Sequence, residues 1–215
     1  MYIIIWTQQT IYVQKERQSM EYKVITISRN YGSHGHELAQ KLSDRLGIPY
    51  YDRDFVRKTA SESGISQELI DEDGEKIKMG TKFLEMLSPA SLNSNHDEIF
   101  KAQSRVILEL SSSPCIIVGR CSNYILREAG IPSFDIYLTA DTAWRIDNAL
   151  NHKVKKEQVT EQYINKKDNE RSDYYKLYTG HPMGMAKDYT ICLDVGKIGM
   201  DRCVNIICDM LKNNQ

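Results

Sequence analysis

The sequence predicts an α/β fold, a three-layer sandwich in which a parallel sheet carries helices on both faces. Three observations predict it. Short β-branched or wholly apolar runs alternate with amphipathic helical stretches along the 215 residues. One run, Cys115-Ile116-Ile117-Val118, is apolar at every position, as a strand covered on both faces requires. A glycine-bearing turn at residues 28–35 separates the first run from the first helix. In parallel sheets this is where backbone N–H groups are presented to an anion.

The elements follow in order. Val24-Ile25-Thr26-Ile27 is the first strand, and Leu38, Leu42 and Leu46 lie four apart on one face of the first helix. Gly47 is placed to cap that helix, and Pro49 prevents its continuation. Tyr50-Tyr51 leads into Asp52, with a second helix from about Asp54 towards Gly64. Residues 65–95 are polar and irregular, with a short helix around Phe83, Leu84 and Leu87. Ile99, Phe100, Gln103, Val106, Ile107 and Leu110 keep the 3.6-residue period, with residues 94–97 as a capping start. The run 115–118 stops abruptly at Gly119-Arg120-Cys121. Strands at 134–138 and 190–193 follow, and a terminal helix carries Val204, Ile207, Cys208 and Leu211 on one stripe. Residues 1–20 form an upstream extension, either disordered or an extra edge strand. Residues 21–215 form a single domain without internal repeat or linker.

Composition narrows the function classes. With 41% hydrophobic and 27% charged residues the chain is neither a disordered segment nor a fibrous one. A net charge of −1 gives no support to a nucleic-acid partner, so any anion must be held by local basic clusters. The five cysteines are odd in number and form no C-x-x-C pair, which fits reduced thiols of a cytoplasmic protein. The apolar start, Met1 to Trp6, is far too short to span a membrane, and no membrane partner is expected. His34 and His36 spell H-x-H, yet zinc needs further ligands, and His96, His152 and His181 lack ligand spacing. No metal site is expected from these residues. Association as a homodimer is left open.

The run Ile25-Thr26-Ile27-Ser28-Arg29-Asn30-Tyr31-Gly32-Ser33-His34-Gly35-His36-Glu37-Leu38-Ala39 resembles the cytidylate kinase-like family, whose members carry an I-S-R-x-Y-G-S-G-G-like loop. The resemblance continues through Leu46 to Asp52, Ile117 to Cys121, Arg171 to Tyr175, Tyr178 to Gly180 and Tyr189 to Leu193. It implies a P-loop nucleotide-kinase-like fold with a helical lid. It also implies phosphoryl transfer from ATP, with Mg²⁺, to CMP or a similar small nucleotide.

The loop departs from the Walker sequence G-x-x-x-x-G-K-[ST], whose Lys reaches the β/γ phosphates and whose hydroxyl binds Mg²⁺. Ungapped comparison puts Arg29 at the first Walker Gly, His34 at the second, Gly35 at the Lys and His36 at the Ser/Thr. Two readings stay open: a kinase in which other groups compensate, and a non-catalytic nucleotide- or anion-binding protein. A kinase for a non-nucleotide acceptor is a third.

On the kinase reading, Gly32, Ser33, His34, Gly35, His36 and Glu37 hold donor phosphates, and Arg29, Arg120 and Arg171 supply catalytic charge. Asp52, Arg120, Arg145, Asp168 and Arg171 face the acceptor. Asp168 and Arg171, three apart, share one helix face and match a D-x-x-R pair of the lid. Each has a plainer alternative: a surface ion pair for Arg120, a salt bridge for Asp168 and Arg171, a helix cap for Asp52. Cys121 stands where true cytidylate kinases have Asp, and Lys58 where they have a phosphate-binding Arg. The tyrosines at 174, 175 and 178 read as packing.

Overall fold

The structure is a computed structural model and describes residues 22–56, 95–151 and 159–213. The expected extension at 1–20, most of the expected second helix, the 65–95 region, Lys58 and His152 lie outside the described residues. So does the side chain of His96.

The elements are β1 (Val24–Arg29), α1 (Gly35–Leu46), β2 (Tyr50–Tyr51), α2 (Asn95–Leu110), β3 (Cys115–Val118), α3 (Ser122–Glu128), β4 (Ser133–Thr139), α4 (Thr142–Asn151), α5 (Glu161–Thr179), β5 (Ile191–Asp194), α6 (Val195–Ile198) and α7 (Met200–Asn213). The five strands are all parallel, in the order β2-β3-β1-β4-β5. β1 is central, hydrogen-bonded to β3 on one side and β4 on the other.

Strand alternation divides the core into two layers. Ile25, Ile27, Ile116, Val118, Phe134, Ile136 and Leu138 pack with Leu38, Ala39 and Leu42 of α1 and with Cys203, Val204, Ile207, Cys208 and Leu211 of α7. Val24, Cys115 and Ile117 face the other way, onto α2, α3 and the C-terminal half of α5. All four β3 residues are buried, so the apolar run does mark a strand covered on both faces. Gly47 caps α1 in the left-handed region at φ 65°, its N–H on the Ser43 carbonyl. Thr26, in the middle of β1, is fully buried and donates to Asp135 at 2.6 Å, so its hydroxyl is not left unsatisfied.

The topology places the site. From β1 the chain crosses to β2 on one side, whereas from β3 it crosses over β1 to β4 on the other. The crevice between the carboxyl ends of β1 and β3 is therefore the switch point, where ligands of open parallel sheets bind. Two segments meet there: the loop after Arg29 and the turn at Gly119. No described helix is long and apolar enough to cross a membrane.

Candidate phosphate-transfer site

The loop leaves β1 through Asn30, whose N–H extends the ladder to the Leu138 carbonyl at 3.1 Å. Its side-chain oxygen accepts from Thr139 at 2.7 Å and Tyr137 at 3.2 Å. Ser33 is fully buried, and its hydroxyl points at the Asn30 and Leu138 carbonyls, 2.8 and 3.2 Å away. That hydroxyl pins the turn. At Gly32 the backbone turns at φ 79°, and a Cβ would lie 2.7 Å from the Arg145 carbonyl oxygen, so both conformation and space demand glycine.

His34, at the second Walker Gly, also adopts the left-handed region, at φ 60°. Histidine is among the residues that tolerate it. Its Nδ1 lies 2.8 Å from Glu37, and its ring lies 5.6 Å from that of Trp144. His36 turns the other way, to the Tyr50 hydroxyl at 3.3 Å and Asp52 at 3.7 Å, and is 59% exposed. The H-x-H pair therefore diverges and does not converge on one point. Asp52 accepts the Phe55 N–H at 2.9 Å with its other oxygen, capping the helical turn that begins at residue 53.

Asp168 and Arg171, on one face of α5 as their spacing anticipates, both reach the loop. Asp168 accepts the Tyr31 N–H at 2.7 Å and pairs through its second oxygen with Arg145. Arg145 in turn donates to the Tyr31 carbonyl at 3.1 Å. Both oxygens of Asp168 and Nη1 of Arg145 are thus engaged on each other and on the loop backbone. Arg171 donates to the Arg29 carbonyl at 3.4 Å, its guanidinium 5.3 Å from the centre of the Tyr31 ring.

At the end of β3, Gly119, Arg120 and Cys121 all have positive φ, 82°, 57° and 55°. Two consecutive non-glycine residues there cost about 1–2 kcal/mol each, and such strain concentrates at functional sites. The turn carries Arg120 inward, where it is only 7% exposed and lies 5.1 Å from the Tyr174 ring centre. None of its three guanidinium nitrogens has a hydrogen-bond partner among the described residues. A buried cation left so is costly unless something pairs with it. Cys121 is buried, and desolvation pushes its thiol up to about 12 although Arg120 pulls the other way, which favours the neutral thiol.

Arg120 lines a narrow cleft with Arg29, Arg53, Arg171, Tyr174 and Tyr175. Among the described residues four arginines and no carboxylate line it, in a chain whose net charge is −1. A second, wider cavity of about 540 Å³ lies over the loop, lined among others by Gly32, His34, Gly35, His36 and Glu37. Arg29 and Arg171 line both. Sequence reasoning did not single out Arg53, Tyr174 or Tyr175 for the site. Tyr174 stands three residues beyond Arg171 on α5, the one signal that placed it on the same face.

The donor set suits phosphate better than a metal ion. Of the groups that could replace the Walker hydroxyl, Ser33 is buried on two carbonyls, Glu37 is bonded to His34, and Asp52 caps a helix. Each of these three side chains already has a protein hydrogen-bond partner.

A parallel sheet in this order, with a glycine loop after the central strand, is the fold of P-loop kinases. Solved structures agree: a shikimate kinase from Acinetobacter baumannii matches with TM-score 0.54 and 11% identity, over 93% of this chain and 98% of that one. One from Bacteroides thetaiotaomicron matches at 0.52 and 10%, over 88% and 98%. An uncharacterised protein from Eubacterium ventriosum reaches 0.67 at 20% identity, over 89% and 98%. The chain belongs to the cytidylate kinase-like family, whose model matches residues 24–197. No curated protein matches the sequence.

Proposed function

We propose that this protein transfers a phosphoryl group from ATP to a small phosphorylated acceptor, a CMP-like nucleotide. The observation that carries the reading is the meeting of the two cavities at Arg29 and Arg171. A donor whose phosphates rest on the loop would direct its terminal phosphoryl group to the side where an acceptor would lie.

The roles follow from position. Backbone N–H groups at the start of α1, with its positive dipole end, receive the donor phosphates. Arg29 and Arg171 face the charge that moves from donor to acceptor, which is where stabilisation lowers the barrier most. Arg120 and Arg53 hold the acceptor's phosphate in the cleft. Asp168 and Arg145 fix the loop's shape at Tyr31 and so act as positioning residues; Asp52 caps its helical turn and orients His36. ATP supplies the phosphoryl group, and an accompanying Mg²⁺ would rest on phosphate oxygens and water, as this ion commonly does.

The test is ADP release in a coupled assay across CMP, dCMP, UMP and other acceptors, with ATP alone as control. Acceptor-dependent ADP formation, lost in Arg171→Ala, is expected. ATP-dependent thermal stabilisation without turnover on any acceptor would refute transfer and leave a nucleotide-binding protein.

A further inference from the structure

Gly35 is not among the glycines with positive φ; it has an ordinary helical backbone as the first residue of α1. No turn requires glycine there, and glycine is the less favourable choice for a helix. What its missing side chain does is leave room. A Cβ at position 35 would lie 3.0 Å from Cγ and 3.1 Å from Cδ of Arg29. The Arg29 stem runs across Gly35, and its Nη1 ends against Gly119, in the place a side chain there would take.

In a Walker loop the position of Gly35 bears the lysine and that of Arg29 the first glycine. Here the two have changed places. We infer that Arg29 and Gly35 are a reciprocal exchange: the loop's phosphate-binding cation comes from the end of β1, and residue 35 is glycine to give it passage. The inference rests on the reading of the loop cavity as the donor-phosphate site.

The exchange has a chemical consequence. A lysine is a point charge, whereas a guanidinium is a planar fork that can hold two phosphate oxygens at once. Arg29 lines the loop cavity and the arginine cleft together. It can therefore hold the donor's terminal phosphate on the side facing the acceptor. On the exchange reading, adding the missing lysine alone is harmful, because the Arg29 stem must give way to any side chain at 35. A side chain at 35 displaces the Arg29 stem before its own amine reaches the phosphates.

A double-mutant cycle tests this, read as the Kd of inorganic tripolyphosphate by calorimetry at fixed ionic strength. Arg29→Ala should weaken binding about 10- to 100-fold, the loss of a charge-assisted contact. Gly35→Lys should also weaken it, by about fivefold or more, although it adds a positive charge. Gly35→Ala, which favours the helix and so keeps the fold, should weaken it in the same direction. The double variant Arg29→Ala/Gly35→Lys should return to within roughly threefold of wild type, a strongly non-additive result. Gly35→Ala binding as tightly as wild type, or a double variant no better than Arg29→Ala, overturns the exchange. The two readings fail separately. Absence of tripolyphosphate binding in the wild type sinks both. A coupled cycle without turnover on any acceptor removes the transfer reaction and leaves the exchange, and turnover with additive losses does the opposite.

Discussion

Arg120→Met should make the ligand-free protein more stable while removing its affinity for phosphate. Arg120 is 7% exposed, and its three guanidinium nitrogens are buried without a partner among the described residues. A buried unsatisfied polar group costs about 1–3 kcal/mol, and a charged one more. The Tyr174 ring 5.1 Å away offsets part of this, with about 0.5–2 kcal/mol for a cation over an aromatic face. Methionine keeps much of the apolar stem and the contact with Tyr174 but removes the charge, and the strained φ of 57° is common to both residues. The difference leaves a net gain of about 1–2 kcal/mol, or roughly 2–8 °C in Tm for a domain of this size. Urea unfolding followed by circular dichroism measures the stability. Calorimetry with CMP and with inorganic phosphate measures the loss, expected at about 10- to 100-fold. A variant destabilised by more than about 1 kcal/mol that still binds phosphate normally would refute the reasoning, because Arg120 would then be structural. The comparison separates the two roles because a structural cation and an anion-holding one predict opposite signs of ΔΔG.

Two further outcomes follow from the loop clamp and the thiols. Asp168→Ala leaves Arg145, with its side chain 8% exposed, without its carboxylate, and should cost about 3–5 kcal/mol in urea unfolding. Replacing both partners by apolar residues (Arg145→Met with Asp168→Leu) should cost less than that single change, and a single-variant cost below about 1 kcal/mol would show that the pair does not clamp the loop. Burial raises Cys115 from the ordinary thiol value of 9.0 to about 11 and Cys121 to about 12. The folded state then holds protons that the unfolded state releases above pH 9, so stability should fall as pH rises from about 9 to 12. Removing both thiols as alanines should flatten that slope, and an unchanged slope would assign it to other groups.

Much of the fold is legible in the sequence because it depends on local patterns. The spacing of Leu38, Leu42 and Leu46 with Gly47 after them marks α1 and its end, and the β-branched and apolar runs mark β1 and β3. The abrupt halt at Gly119-Arg120 reads as a strand end, and it is one. The helix spacing of Asp168 and Arg171 places them on one face, and both reach the loop. Their partners are not legible: Asp168 meets Tyr31 from 137 residues away, and no periodicity encodes a contact at that separation. Tyr174 and Tyr175 read as packing residues and do pack, against α2 and α3, yet they also line the arginine cleft. A tyrosine serves both uses with one spelling. Arg53 escaped notice because it lies between two aspartates and has the sequence look of a surface residue.

Gly35 shows most clearly where the division falls. By itself the sequence determined that the Walker lysine and hydroxyl are absent and that a glycine and a histidine stand in their places, because the identity of a residue in a loop of known length is a one-dimensional fact. It also determined the parallel α/β class, since strand and helix periods are local. Only the tertiary structure shows what surrounds that glycine. The Arg29 stem crosses the bare α-carbon of Gly35, the turn at Gly119 leaves space for its guanidinium, and Arg120 and Arg171 are brought to the same crevice by β3 and α5. Arg29, Arg120 and Arg171 are separated from one another by tens of residues along the chain. Their convergence is set by the order in which the strands pair and the direction in which the helices pack.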